Sequence, residues 1–522
     1  MPEPARAKWW DDVVSVDTVK LNSDVYLLWG DRVRVLEDNG GDSVRVAARG
    51  SVGEIPRSAL GGEPLLELYI IDVGQGDGLL VVTPEGHHLM IDGGLPRSRQ
   101  GPGKSAADFV DWKFHQDYLP AAERNDEAKN RVRLDAMIVT HADLDHYGGL
   151  RDLIDVEREE KTDELQTAGT TVEEFYHPGL CPQTSGTEGL GPKSGGHFTK
   201  LLGNRSSMLD GLSEAPGDAP AIRGEYKALL THLRTTKRIS GAPTGVQRLS
   251  HETRFLPGFS EHDTDSQVTI RVLAPIEAEV DGVPALRDLG DEGVNKNGHS
   301  IALRLDYGER RFLLTGDLND AAQKDIMAHY GAEFAATWRA DVAKACHHGS
   351  HHVHVDFLRG VNALSTVFSS GDTNTYDHPR AWVLAAAGIT GRVIEGKHGR
   401  LIAPLVYSTE IARSIALKRV EKLEEYAERQ EFGRPSTDPK DVVSGDKALE
   451  KWRLVLEGAH KTAYELPPLW GAKVMQRLIF GLVNVRSDGK RLLFAVRNEG
   501  NASWSYEVME ASDIEQAFTL TK

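Results

Sequence analysis

After a short apolar run, Leu134-Asp-Ala-Met-Ile-Val, the chain reads Thr140-His-Ala-Asp-Leu-Asp-His-Tyr-Gly-Gly. Four potential cation ligands, His141, Asp143, Asp145 and His146, fall within six residues on the loop joining a buried strand to a following helix. Carboxylates so crowded repel one another unless a positive ion lies between them, which makes metal binding the economical reading. An exposed acidic helix cap is the plainer alternative, but it needs only Asp143 or Asp145.

Two later segments repeat the design of apolar strand, abrupt stop, ligand-type residue and glycine. Phe312-Leu-Leu-Thr-Gly-Asp ends on Asp317, and Ala343-Lys-Ala-Cys-His-His-Gly-Ser ends on His347 and His348. Taken singly, Gly-Asp is a common turn and a histidine pair is often merely exposed. The recurrence carries the weight. With only Cys181 and Cys346 in 522 residues, a disulfide framework and a thiolate cage are excluded, so a metal must be held by carboxylates and some of the 20 histidines.

A chain of this length predicts two to four domains at roughly 150 residues each. No stretch approaches the roughly 20 uninterrupted apolar residues of a membrane span, and the opening Met1-Pro-Glu-Pro-Ala-Arg-Ala-Lys has no apolar signal core, so a soluble cytoplasmic protein is expected. Val25 to Leu60 alternates short strands with Gly and Asn turns, which suggests a small β-barrel similar to a bacterial SH3-like module. Leu66–Val82 and His88–Gly94 predict a β-hairpin, and a helix is expected from about Gly149 to Glu159. Residues 178–265, rich in Gly, Ser, Thr and Pro with one helix near Glu225 to Arg234, read as an insertion of the kind that forms lids or binding loops. Strands then alternate with helices up to Ala387, as in a layered α/β domain. Beyond Ser408 the pattern predicts helices over Ile411–Arg429 and Lys447–Ala463, then a hairpin turning at Asp488-Gly.

Asp72-Val-Gly-Gln-Gly-Asp, Ile91-Asp-Gly-Gly, Thr140-His-Ala-Asp-Leu-Asp-His, Asn297-Gly-His-Ser, Leu314-Thr-Gly-Asp, His347-His-Gly-Ser and Tyr376-Asp-His-Pro occur in the order seen in the metallo-β-lactamase superfamily. They look most like the branch containing the hydrolase domain of DNA-uptake competence (ComEC-type) proteins. The resemblance covers about Leu66 to Leu405. It implies an α/β fold, an αββα sandwich with the site at one edge of its two sheets, spanning residues 66–407 between the small barrel of 1–62 and a helical and hairpin extension of 408–522. Carried over, His141, Asp145 and His146 match the metal loop, Asp317 the bridging carboxylate of a two-metal site, and His347 the last histidine ligand, preferred to His348 because it directly follows the strand. Asp92 matches the acidic motif that orients the metal loop from behind. Asp143 departs from the histidine that many members carry; a carboxylate there makes the position harder and Mn2+ a credible alternative to Zn2+. A further histidine ligand is implied between the metal loop and Asp317, and His177, at an apparent strand end, is the candidate; a plain loop histidine is its alternative.

A bound divalent ion lowers the pKa of water from about 15.7 to roughly 7, which supplies hydroxide without a protein nucleophile. Asp145 is placed to accept a proton from that water, and His378 to steady an oxyanion or protonate the leaving group; a helix-start residue before Pro379 is the bland reading of His378. The branch resemblance and the hard ligands favour a phosphodiesterase or nuclease. The net charge of −17, from 61 basic and 78 acidic residues, argues against non-specific coating of nucleic acid but leaves room for a local basic rim in the insertion. Hydrolysis of an amide, ester, lactone or peptide is the second reading, and an interaction module with a non-catalytic metal site the third. The extra segments at both ends predict a protein partner, and no membrane is expected.

Overall fold

The computed structural model describes residues 9–100, 104–155, 165–183, 189–371, 378–395, 401–409, 420–426, 451–456, 464–466, 481–497 and 504–514. Two sheets dominate it. The first has nine strands in the order Gly245–Arg248, Thr170–His177, Val132–Ile138, His88–Gly93, Gly78–Val82, Leu66–Ile70, Val483–Ser487, Leu492–Arg497 and Trp504–Met509; the second has six, Val268–Ala274, Ala302–Tyr307, Arg310–Leu314, Val342–Lys344, Ser365–Phe368 and Leu405–Ser408. One apolar cluster joins Ile70, Val81, Ile91 and Ile138 of the first sheet to Ile270, Leu303, Phe312 and Val367 of the second. A second cluster packs the opposite face of the first sheet, through Met90, Met137 and Phe175, against Val110, Leu150 and Leu229 of three helices. A third packs Leu313 and Ala343 against Ile326, Trp338 and Phe357. The layers are therefore helix, sheet, sheet, helix. Central strands such as Gly78-Leu-Leu-Val-Val are buried on both faces, which is why they are apolar throughout rather than alternating.

In the first sheet, Val132–Ile138 runs parallel to both His88–Gly93 and Thr170–His177; in the second, Val342–Lys344 runs parallel to Arg310–Leu314 and to Ser365–Phe368. Parallel strands end at a common edge, so the residues that follow Ile138, Leu314 and Lys344 emerge together.

Several expectations change. The helix after the metal loop is Leu144–Ile154, starting inside the motif, so Asp145 and His146 occupy its first turn rather than a loop. An acidic residue there is favoured by the positive end of the helix dipole. The helix lies close on the strand behind it because a Cβ on Gly149 would come within 2.1 Å of the Gly93 carbonyl oxygen. The segment expected as an insertion contributes helix Gly224–Thr235, whose Leu229, Leu230 and Leu233 are core residues, and the parallel edge strand Gly245–Arg248. The N-terminal residues form a four-stranded antiparallel sheet and a separate two-stranded ribbon around Val14, Leu27, Val33, Val46 and Ile55; among the described residues no pairing closes them into a barrel. Where long helices were expected after Ser408, Val420–Tyr426, Lys451–Leu456 and Tyr464–Leu466 pair as antiparallel strands, and the remainder of both expected helices lies outside the described residues. Lys451-Trp-Arg-Leu-Val-Leu alternates in the strand period, and the helical spacing of Val420, Leu423 and Tyr426 yields to cross-strand pairing. The terminal strands do not stand apart either. Val483–Ser487 pairs with Leu66–Ile70 along its whole length and extends the first sheet.

Candidate metal centre

Among the described residues, four groups of ligand-type side chains have one atom each within 4.8 Å of one another: His141, His146 and Asp317; Asp145, His146 and His348; Asp77, Asp92 and His146; and Asp77, Asp317 and His348. His146 belongs to three of them. The Nε2 atoms of His146 and His348 lie 3.2 Å and 3.1 Å from the same oxygen, Oδ2 of Asp317.

Hydrogen bonding fixes which nitrogen each ring presents. Thr140 Oγ1 donates to Asp92 Oδ2 at 2.6 Å and Ser300 Oγ donates to the Asn297 carbonyl at 2.8 Å, so both hydroxyls beside His141 Nδ1 have committed their hydrogens. Nδ1 of His141 must therefore be the donor. His146 Nδ1 lies 2.7 Å from Asp92 Oδ2, and His348 Nδ1 lies 3.0 Å from Asp77 Oδ1. In His141 and His146 the proton on Nδ1 is held by an outer oxygen, His348 Nδ1 faces Asp77 as an ion pair, and the buried Nε2 atoms of all three rings, which make no hydrogen bond, are directed inward. Buried polar atoms left unsatisfied are costly unless a ligand completes them, so this donor set of imidazole nitrogens and carboxylates fits a divalent ion.

Electrostatics agrees. Burial pushes the His146 and His348 imidazoles down, but Asp317 with Asp92, and Asp317 with Asp77, outweigh it and hold His146 well above the usual histidine range and His348 at about 9. Burial and the neighbouring His146 lower His141 to about 4. Burial opposes ionisation of Asp317, yet His348, His146 and His347 hold its carboxyl far below the ordinary range. An ion entering the cluster competes with the protons on His146 and His348. Asp92, His347 and His348 are all non-glycine residues at positive φ, 55°, 46° and 53°, a strain typical of functional sites.

The expected residues do not all converge. His141, Asp145, His146, Asp317 and the supporting Asp92 do. Asp143 joins none of the clusters of described residues: one carboxylate oxygen pairs with Lys296 Nζ at 2.6 Å and the other lies 3.7 Å from His141 Nε2, at the border of the site. His348, not His347, enters the clusters of described residues. Asn297 Nδ2 approaches His347 Nε2 at 3.3 Å and that nitrogen is 3.7 Å from Asp317 Oδ2, whereas the turn carries the His348 ring inward. His177 is buried at the end of its strand, but that strand is one place farther from the centre of the sheet; its Nδ1 accepts from Gly179 N–H at 3.1 Å and burial lowers it to about 3. It joins no cluster. His378 stands over the site, its ring centroid 5.7 Å from that of His347 and 6.5 Å from that of His348, and burial followed by those two rings lowers it to about 3. Asp145 accepts from Gln75 Nε2 at 3.1 Å. Asp77, Lys344 and Ser300 were not singled out from sequence, although a lysine within the apolar run Val342-Ala-Lys-Ala-Cys was a visible anomaly.

Gly76 shows how tightly the loop bearing Asp77 is fitted. It has φ +101°, and a Cβ would fall 1.7 Å from the Asp145 carbonyl oxygen. Gly76→Ala is expected to push the Gln75–Asp77 loop off the first turn of the Asp145 helix, with a loss of about 1–3 kcal/mol in stability from the strain alone. Thermal unfolding together with metal titration would register it, and an unchanged melting temperature would contradict the fit.

Residues 71–159 match the metallo-β-lactamase superfamily. The segment so matched contains the metal loop and Asp92, and it supports a metal-dependent hydrolase in general. Within that class, the chain is 31% identical over 91 residues to ComE operon protein 3 of Bacillus subtilis, a similarity that covers 17% of this chain and 11% of that protein. The resemblance to the superfamily and to its competence-protein branch is thereby shown. The chain is also similar in structure to a protein of unknown function from Enterococcus faecalis, at 10% identity and a TM-score of 0.24 over 56% of each chain. Among the described residues no helix is long and apolar enough to cross a membrane.

Proposed function

We propose that this protein is a metal-dependent phosphodiesterase, with nucleic acid as the substrate class. The observation that carries the reading is the convergence of His141, His146 and His348 Nε2 with the Asp317 carboxylate, each ring braced from outside by an oxygen. His141, Asp145, His146, Asp317 and His348 would hold Mn2+ or Zn2+, in one or two positions. When bound, such an ion lowers the pKa of water and offsets charge on phosphoryl oxygens, and the carboxylate-rich set suits hard cations and hard phosphoryl substrates.

The chain's own groups supply the rest. Asp145, held by Gln75, accepts the proton of the attacking water. His378, kept neutral by burial, donates an N–H to the developing oxyanion. Asp92 and Asp77 keep the imidazoles from rotating as charge shifts. Among the described residues the N-terminal sheet supplies no side chain to the clusters and is left as surface for a protein partner.

Purified protein, loaded in turn with Mn2+ and Zn2+, is expected to cleave bis(p-nitrophenyl) phosphate and single-stranded DNA or RNA. Turnover of a lactone, ester or casein substrate without phosphodiester cleavage would replace this reading with hydrolysis of acyl compounds.

A further inference from the structure

Lys344 is a charged residue inside a strand that is otherwise apolar, and its side chain is 1% exposed. Its ammonium forms an ion pair with Asp77, donates to the Gly316 carbonyl at 2.9 Å and lies 3.7 Å from Oδ1 of Asp317. A cation in a dry interior is expensive unless its partners require it there. Here they are the two carboxylates that frame His348: Asp77 Oδ1 faces Nδ1 of the ring at 3.0 Å and Asp317 Oδ2 faces Nε2 at 3.1 Å.

We infer that Lys344 is a positioning residue for the metal centre, fixing Asp77 as the brace of His348 and turning Asp317 so that Oδ2 alone faces the imidazoles. The inference rests on the metal reading above. Without the ammonium, Asp77 and Asp317 carry two buried negative charges on the two nitrogens of His348, and neither the ring's orientation nor the choice of Asp317 oxygen is determined. Lys344 also closes one of the four ligand clusters. Asp77 and Asp317 already share this ammonium and face the two nitrogens of His348, so that group is a built ion network, and incoming cations are directed to the clusters containing His141 and Asp145.

The test separates positioning from folding. Lys344→Met alone strands Asp77 as an uncompensated buried charge, so the charge-balanced variant Lys344→Met with Asp77→Leu is made beside it; exchange of a buried pair for apolar residues of similar size is often tolerated. Circular dichroism and thermal melting establish that the double variant is folded, and calorimetric titration of the full-length protein with MnCl2 and with ZnCl2 gives affinity and stoichiometry. Wild type is expected to bind, and the folded double variant to bind about 10–100-fold more weakly, the size of effect seen when a ligand loses its outer partner. Asp77→Asn with Lys344 retained keeps an acceptor for His348 Nδ1 and is expected to recover most of that loss. Wild-type affinity in the double variant overturns the role of Lys344 while leaving the metal reading intact. Failure of the wild type to bind either ion overturns both.

Discussion

His146→Ala is expected to lower kcat/KM for phosphodiester hydrolysis by about 10³-fold or more in protein supplied with saturating Mn2+, with a fall in the amount of ion retained on gel filtration. The size follows from its place in the site. His146 is fully buried, belongs to three of the four ligand clusters, and its two ring nitrogens join Asp92 at 2.7 Å to Asp317 at 3.2 Å. Its removal takes away a ligand and releases both carboxylates, and loss of an ion's several kcal/mol of transition-state stabilisation corresponds to about three powers of ten. Asp317→Ala is expected to match it, since one oxygen of Asp317 serves both His146 and His348. Asp143→Asn is the informative contrast. One oxygen of that carboxylate is paired with Lys296, the other lies 3.7 Å from His141 Nε2, and it joins none of the clusters of described residues, so the variant should retain activity within about tenfold. A reversal of that order, with Asp143 indispensable and His146 dispensable, would sink the assignment.

The contrast also shows what the sequence could reveal about the site. His141 and Asp317 were readable because each stands just past an apolar strand, Asp92 because it closes one and His146 because it opens the helix that follows, and parallel strands bring such positions to one edge. Asp143 carried the same local signature. Its true partner, Lys296, is distant in sequence, and no local pattern tells a carboxylate waiting for an ion from one already paired with an ammonium. His347 and His348 differ only through a backbone turn with both residues at positive φ, so adjacency to the strand does not tell which ring enters a cluster. His177 has the right position on its strand, but that strand lies one place too far out in the sheet, and sheet order is a global property. The layered α/β core was legible from strand lengths and apolar runs. The contribution of residues 483–509 to the first sheet was not, because a hairpin at the end of a chain gives no sign of which edge it will join.

The same joint governs stability. Arg486, on the strand Val483–Ser487, donates to the Trp29 carbonyl at 2.7 Å and to Asp31 Oδ1 at 2.7 Å, and lies 3.5 Å from Glu67 Oε2. It thus ties the N-terminal sheet, the first strand of the large sheet and the C-terminal hairpin together. Its side chain is 1% exposed, and if it is lost Asp31 keeps Arg49 and the Leu28 N–H while Glu67 keeps Arg32 and the Tyr69 hydroxyl. Arg486→Met is therefore expected to cost about 3–5 kcal/mol at pH 7, the usual penalty for breaking a buried ion network from one side. Burial pushes both carboxyls up, but Arg486 with Arg49 pulls Asp31, and Arg486 with Arg32 pulls Glu67, below the ordinary range. A carboxyl lowered on folding stabilises the protein above its unfolded pKa, near 4, and loses that contribution as the pH falls through its folded value. The gap between wild type and Arg486→Met should accordingly be widest at neutral pH and narrow from about pH 4 downward. Urea unfolding followed by near-ultraviolet circular dichroism at pH 7 and at pH 3.5 measures both. A variant within about 0.5 kcal/mol of wild type at pH 7, the range of an ordinary surface substitution, would show that the hairpin is held by its strand pairing and apolar contacts alone.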